Sequence, residues 1–152
     1  MRPQFIAGYL VDNTKSQEPL YLLLKRQDSV YLPGIWQIVT GKVEEHETVS
    51  CAIKREVLEE TGYIVDCVYN VDITMFYDQT KDQIAFSANF CCLVDSKKSV
   101  NISLKEHSDY QWCSFNEAKN LLAFPSQKET LKFIHQNYIL NQPNPVNKLN
   151  FK

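Results

Sequence analysis

No stretch of this 152-residue sequence approaches the run of about eighteen apolar residues that suggests a transmembrane helix. The opening segment, MRPQFIAGYLVDNTK, has only a short apolar run before Asp12, too short for the core of a secretory signal. Charge of one sign is also scarce. A formal net charge of −2 creates no global field to recruit nucleic acid or an anionic membrane surface. Five cysteines (Cys51, Cys67, Cys91, Cys92, Cys113) are an odd number without CxxC spacing. They read as reduced core thiols of a cytoplasmic protein, not as a disulfide framework or a zinc site. There is no internal repeat. With 44% hydrophobic residues, the chain is most simply one globular domain around a single core.

What is present alternates in periodicity. QFIAGYLV (4–11) and PLYLLLKR (19–26) predict two strands joined by a polar turn around Asn13 to Glu18. In YLPGIWQIVTGKVEEHE, residues Pro33, Gly34 and Gly41 mark a loop. Strong helix formers run from Thr48 to about Glu60, and Gly62 stands where a left-handed C-terminal cap belongs. Further strands are predicted over 63–77, 82–95 and 109–115. Two capping-box signatures follow, Ser114 with Glu117 and Ser126 with Glu129. After Ile139 the segment NQPNPVNKLNFK has two prolines and little to bury. The expected organisation is a domain over 1–140 and a surface tail over 141–152, with strands and helices interleaved in a mixed α/β layered fold.

Carboxylates are abundant in one place, GKVEEHETVSCAIKREVLEETGY (41–63). Glu56, Glu59 and Glu60 stand at i, i+3 and i+4, so on a helix their carboxylates converge within roughly 100° of arc. Val49, Ile53 and Val57 form an adjacent apolar row that would anchor the helix on a sheet. Like charges at this spacing repel, and Arg55, one turn before Glu59, relieves only part of that. A hard divalent cation relieves it better, because Mg²⁺ takes one or two carboxylates and keeps waters for substrate phosphates. Taken alone, such a face is more often a solvated one.

The spacing decides. Gly41, Glu47 and the run Arg55-Glu56-Val57-Leu58-Glu59-Glu60-Thr61-Gly62-Tyr63 resemble the Nudix box, GX5EX7REUXEEXGU with U a bulky apolar residue. Every fixed position is met, and chance would give that at roughly 10⁻⁹ per starting position. The resemblance implies an α/β (α+β) Nudix-type α/β/α sandwich with a mixed sheet. It also implies Mg²⁺- or Mn²⁺-dependent hydrolysis of a nucleoside diphosphate linked to another group. Carried over by position, Glu56 and Glu60 are the principal metal ligands, and Glu59 and the Gly41 carbonyl complete or water-bridge the site. Glu47 and Arg55 resemble an orienting pair, with Glu44 a further candidate for the metal shell. Two departures, Thr40 before Gly41 and His46 before Glu47, replace common glycines and remove no ligand. His46 is given no catalytic role.

A narrower resemblance lies outside the box. The WQ-x-VTG entry (36–41) and the strand EH-x-x-Y-x-W (106–112) are similar to the dATP and dihydroneopterin triphosphate pyrophosphohydrolase branch. It implies cleavage of a (deoxy)nucleoside triphosphate or similar small-molecule triphosphate to monophosphate and pyrophosphate. Arg26, at the end of a strand facing the box, and Lys42, beside the metal loop, are candidates to hold terminal phosphates. Glu106 is a candidate extra ligand or base. Trp36, Phe76 and Tyr77 are candidates to stack on a base or pterin ring. Other substrates stay open: dinucleoside polyphosphates, ADP-ribose and capped RNA ends. So does a non-catalytic nucleotide sensor, against which the intact glutamate set argues. A homodimer is compatible with the sequence; no membrane or stable nucleic-acid partner is expected.

Overall fold

The computed structural model describes residues 1–14 and 17–151, so the turn expected around Asn13 to Glu18 lies partly outside the described residues. A seven-stranded mixed sheet organises the chain. Its centre is β1 (Phe5–Asp12), buried on both faces, as a run such as IAGYLV requires. Ile6 and Leu10 point into one core cluster, and Ala7, Tyr9 and Val11 into the other. β1 runs parallel to β6 (Gln83–Leu93) and antiparallel to β2 (Leu20–Arg26) and β4 (Val39–Lys42). The remaining strands are β3 (Trp36–Gln37) and β7 (His107–Cys113), both paired with β2, and β5 (Val68–Asp78), paired with β6.

Among the described residues, three α-helices cover the sheet: α1 (Val49–Thr61), α2 (Phe115–Leu121) and α3 (Pro125–Ile134). On α1 the Thr48 side chain accepts from the Cys51 N–H, and Gly62 closes the helix at φ 81°, a backbone state that costs glycine little. Ala52, Ile53 and Val57 bury the inner face of α1. A Cβ on Gly8 would stand 2.9 Å from Ile53 Cδ1, so Gly8 lets α1 settle closely on β1.

Several expectations need correcting. The segment read as a loop before the box contains the short strands β3 and β4. Residues 63–67 are not strand, although Tyr63 and Val65 are buried. β7 begins at His107 and stops at Cys113, because Ser114 is taken as the cap of α2 in a full capping box. The second box is not formed. Pro125 occupies the first position of α3 after an uncapped Phe124, where a missing N–H and a fixed φ fit, and Ser126 therefore falls inside the helix. Only Cys91, Cys92 and Cys113 are buried thiols, while Cys51 is exposed and Cys67 intermediate. The last residues have more to bury than expected. The Leu149 N–H donates to the Val68 carbonyl at 2.8 Å, Leu149 and Phe151 pack on the core, and Lys54 Nζ lies 4.6 Å from the Phe151 ring centroid.

Candidate active site

The loop before α1 and one face of α1 are tied together by Arg55. Its guanidinium donates to Glu47 from Nε at 3.0 Å and from Nη2 at 2.6 Å, a two-pronged contact suited to its planar fork. Nη1 donates to Glu56 Oε1 at 2.8 Å and to Glu59 Oε2 at 3.3 Å, and Nη2 also reaches the Lys42 carbonyl at 3.0 Å. The Glu44 N–H donates to Glu47 Oε1 at 2.9 Å, while the Glu44 carboxylate stays 3.9 Å from Arg55. The hydrogen bonds from Arg55 hold the Glu47 carboxyl at about 2, against an ordinary 4.5. Burial pushes the Glu56 carboxyl up, against the pull of Arg55.

Glu60 is treated differently. It is 1% exposed, and burial, followed by the nearby charges of Glu56 and Glu106, raises its carboxyl well above the usual range. Its Oε2 has no hydrogen-bond partner. Its Oε1 lies 3.7 Å from His107 Nδ1, which is also unpartnered. Burial lowers His107 to about 4, with help from the charge of Arg26, so at neutral pH the imidazole is neutral and gives Glu60 no counter-charge. Donor atoms of Glu60, Glu106 and His107 lie within 4.8 Å of one another.

These observations fit a divalent cation. An orphaned buried carboxylate oxygen is costly unless something pairs with it. At Gly41, a Cβ would stand 2.1 Å from Glu56 Cδ, so only glycine leaves room for that carboxylate against the strand. Glu56, Glu59, Glu60 and Glu106 supply hard oxygen donors of the kind Mg²⁺ and Mn²⁺ take.

Other expected residues are placed less centrally. Lys42 ends β4 with an exposed side chain. Arg26 ends β2, and its Nε donates to the Tyr31 carbonyl at 2.6 Å, which ties it to the loop after the strand. Trp36 packs on the α2–α3 side of the core, and Tyr77, 62% exposed, donates to Asp82 at 2.6 Å. Neither lines the cavity of about 370 Å³ whose wall includes Gln37. Phe76 does line it, with Thr74 and Met75 of the same strand. A larger depression, about 610 Å³, lies past the C-terminal end of α1 around Gly62 and Asp12, away from the glutamates.

Two residues went unnoticed as site candidates. Gln37 Nε2 and His107 Nε2 are 3.2 Å apart, both buried. They belong to the two short motifs flanking the box, and the structure brings those motifs together beside Glu60. The WQ and EH pairs of those two motifs were the available signal.

The family model for the NUDIX domain matches residues 2–135. The chain belongs to the Nudix family. The chain is 32% identical over 102 residues to Nudix hydrolase 19, chloroplastic, of Arabidopsis thaliana, covering 66% of this chain and 23% of that one. It is 28% identical over 125 residues to the dihydroneopterin triphosphate diphosphatase of Escherichia coli K12, covering 73% and 79%. A crystal structure of a Listeria monocytogenes NUDIX hydrolase superposes with a TM-score of 0.73 at 26% identity over 93% of each chain. This Nudix chain spans between 23% and 65% of the length of the first curated relatives it matches. Hydrolysis of phosphoric anhydrides with a divalent metal is general to that family. No helix among the described residues is long and apolar enough to cross a membrane.

Proposed function

We propose that this protein is an Mg²⁺- or Mn²⁺-dependent pyrophosphohydrolase, cleaving a (deoxy)nucleoside triphosphate or similar triphosphate to monophosphate and pyrophosphate in the cytoplasm. The observation that carries the reading is a cavity of about 370 Å³ whose lining includes Gln37, the residue that touches His107 next to Glu60. That volume suits a nucleotide-sized heterocycle, and the likeness to a triphosphate diphosphatase supports the same choice.

In this reading Glu56 and Glu60, with the Gly41 carbonyl, hold the metal. Bound there, the cation would neutralise phosphoryl charge and acidify an attacking water. Arg55 keeps Glu56 and Glu59 in register through Nη1 and fixes the preceding loop through Glu47. Glu59 is held by one oxygen only, leaving the other to take a proton from water, and Glu106 is the second candidate base. Arg26 and Lys42 would hold distal phosphates, with the α–β bridge over the carboxylates and attack at the β phosphorus.

Hydrolysis of a nucleotide panel in ¹⁸O-labelled water tests this. Label in pyrophosphate is the expected result, and label in the monophosphate would move attack to the α phosphorus. Orthophosphate as the primary product of intact triphosphates would overturn the pyrophosphohydrolase reading.

A further inference from the structure

Strand parity alone would send His107 to the wrong side of the sheet. In β7, Trp112 and Tyr110 stand opposite Leu22 and Leu24, and Trp112 packs on the core cluster that holds Ile53 and Val57 of α1. Cys113, opposite Tyr21, belongs to the other cluster. Odd-numbered residues of β7 should therefore face away from α1. His107 does not, because the register with β2 shifts. Lys25 pairs with Asp109 but Arg26 with His107, so Ser108 is left unopposed. One extra residue in a strand turns the next side chain to the opposite face. His107 thereby joins the face of Leu22 and Leu24, 1% exposed and turned to Glu60 in the last turn of α1. Its backbone is held there from both sides: its N–H donates to the Ser103 carbonyl at 2.9 Å, and its carbonyl accepts from Gln27 Nε2 at 3.4 Å.

Each ring nitrogen then meets one group. Gln37, opposite Leu24 in β3, lies on the same face, and its Nε2 stands 3.2 Å from His107 Nε2. An amide nitrogen only donates, so this contact needs a bare lone pair on His107 Nε2 and leaves the ring proton on Nδ1. Nδ1 lies 3.7 Å from Glu60 Oε1 and has no other partner. A lone pair there would face a carboxylate oxygen unfavourably, whereas an N–H faces it favourably. The two neighbours demand the same tautomer. At 3.7 Å the contact is longer than a closed hydrogen bond, so it aligns Glu60 without saturating it.

We infer that His107 is a positioning residue for Glu60: the Gln37 amide fixes the His107 tautomer, and the Nδ1–H orients the Glu60 carboxylate for a divalent cation. The inference rests on the reading of Glu60 as a metal ligand. It adds a relay, Gln37 to His107 to Glu60, that reaches α1 from two strands on either side of β2. Groups that stand behind a ligating carboxylate in this way set metal affinity by about 10- to 100-fold.

The test pairs long-range ¹H–¹⁵N NMR of the metal-free full chain at neutral pH with Mn²⁺ binding followed by electron paramagnetic resonance. His46 and His135 are the other histidines, so the signals that vanish in His107→Asn belong to His107. In wild type its proton should sit on Nδ1. A proton on Nε2 would overturn the inference, since a lone pair would then face Glu60. This reading needs no variant to fold. His107→Leu should weaken Mn²⁺ binding at least about 10-fold. His107→Asn, whose amide N–H can stand near the Nδ1 position, should bind within about 3-fold of wild type. Asn as weak as Leu would make His107 a packing residue and overturn the role. Gln37→Leu should release the tautomer, and an unchanged ring pattern there would remove Gln37 from the relay. The two readings fail separately: wild type that takes up no Mn²⁺ sinks the metal assignment whatever the tautomer, and Mn²⁺ binding that His107→Leu leaves unchanged sinks the positioning role alone.

Discussion

Glu60 and Asp12 are both carboxylates removed from water, at 1% and 2% exposure, yet the chain treats them in opposite ways. Asp12, at the end of β1, receives five donors. The Thr14 N–H and the Ser96 N–H each donate at 3.0 Å, Gln17 Nε2 donates at 3.3 Å, and both the Thr14 and Ser96 hydroxyls bond to it. Burial works to raise its carboxyl, but the bonds from Ser96 and Thr14 win, and its value ends below that of an ordinary aspartate. Glu60 has a bare oxygen, a neutral histidine neighbour and acidic company, and its carboxyl is driven up. Burial alone therefore does not mark a functional acid. A saturated buried carboxylate clamps two loops, and an unsatisfied one leaves an oxygen for a group from outside, in the proposed reading a cation.

The largest effect that could break this contrast is catalytic. Glu60→Gln keeps the helix, since the two residues have similar propensity, and removes one charged ligand. Turnover should fall by at least about two orders of magnitude, while the thermal midpoint of the metal-free protein stays level or rises. That stability result follows because the substitution deletes a buried carboxyl whose charged form burial and its acidic neighbours disfavour. A near-wild-type rate would return the glutamate cluster to the status of a structural face.

Asp12→Ala sharpens the comparison from the other side. It strands buried donors on two loops, so urea unfolding should show a loss of about 2 kcal/mol. Turnover at the assay temperature should stay within about twofold of wild type. A selective collapse of turnover in a fully folded Asp12→Ala protein would tie the depression around Gly62 to the chemistry.

How far each half of this picture could be read from the sequence depends on the range of the contacts. The glutamate face is local: i, i+3 and i+4 on one helix share a side whatever the rest of the chain does. Gly62 was legible for the same reason, since the helix end must turn left-handed, whereas Gly41, which leaves room for Glu56 across a strand–helix contact, was legible only through the spacing of the box. Gln37 and His107 were not, because they meet only when β3 and β7 flank β2 from either side, with Gln37 beside Leu24 and His107 beside Arg26. Of the aromatic candidates Trp36, Phe76 and Tyr77, Phe76 lines the cavity and the other two do not, because aromatic character says nothing about which face of a strand is used. Ser126 and Glu129 carried the spacing of a capping box, but Pro125 began the helix one residue earlier.

Metal binding gives a smaller, independent reading of the same contrast. At about ten times its Kd, Mg²⁺ should stabilise wild type by about 1.4 kcal/mol through linkage. The gain should shrink in Glu60→Gln and persist in Asp12→Ala, as thermal shifts with and without Mg²⁺ would report. Excess chelator should abolish turnover in both wild type and Asp12→Ala. Full activity with metal verified as absent would remove the cation from the account.

The smallest expected effect is the dependence of stability on acid, and its sign follows from the two hydrogen-bonded carboxylates. Glu47 is held at about 2, against 4.5, chiefly by Arg55, and Asp12 is held below its ordinary value. Each binds fewer protons folded than unfolded in the window between the two values. The stability they contribute is therefore complete above the unfolded values and is lost as pH falls through the folded ones, from 4.5 towards about 2 for Glu47. Solvent near Glu47 screens its pairing with Arg55, which keeps its share to about 1 kcal/mol at most. Urea midpoints of Glu47→Gln and wild type should differ at about pH 6 and converge as pH falls below about 2, where Glu47 is protonated in the folded as well as the unfolded chain. Asp12→Ala should lose a further part of the slope at the low end. An unchanged acid profile in Glu47→Gln would mean that the bridge to Arg55 adds no net stability and serves only to aim Arg55 at Glu56 and Glu59.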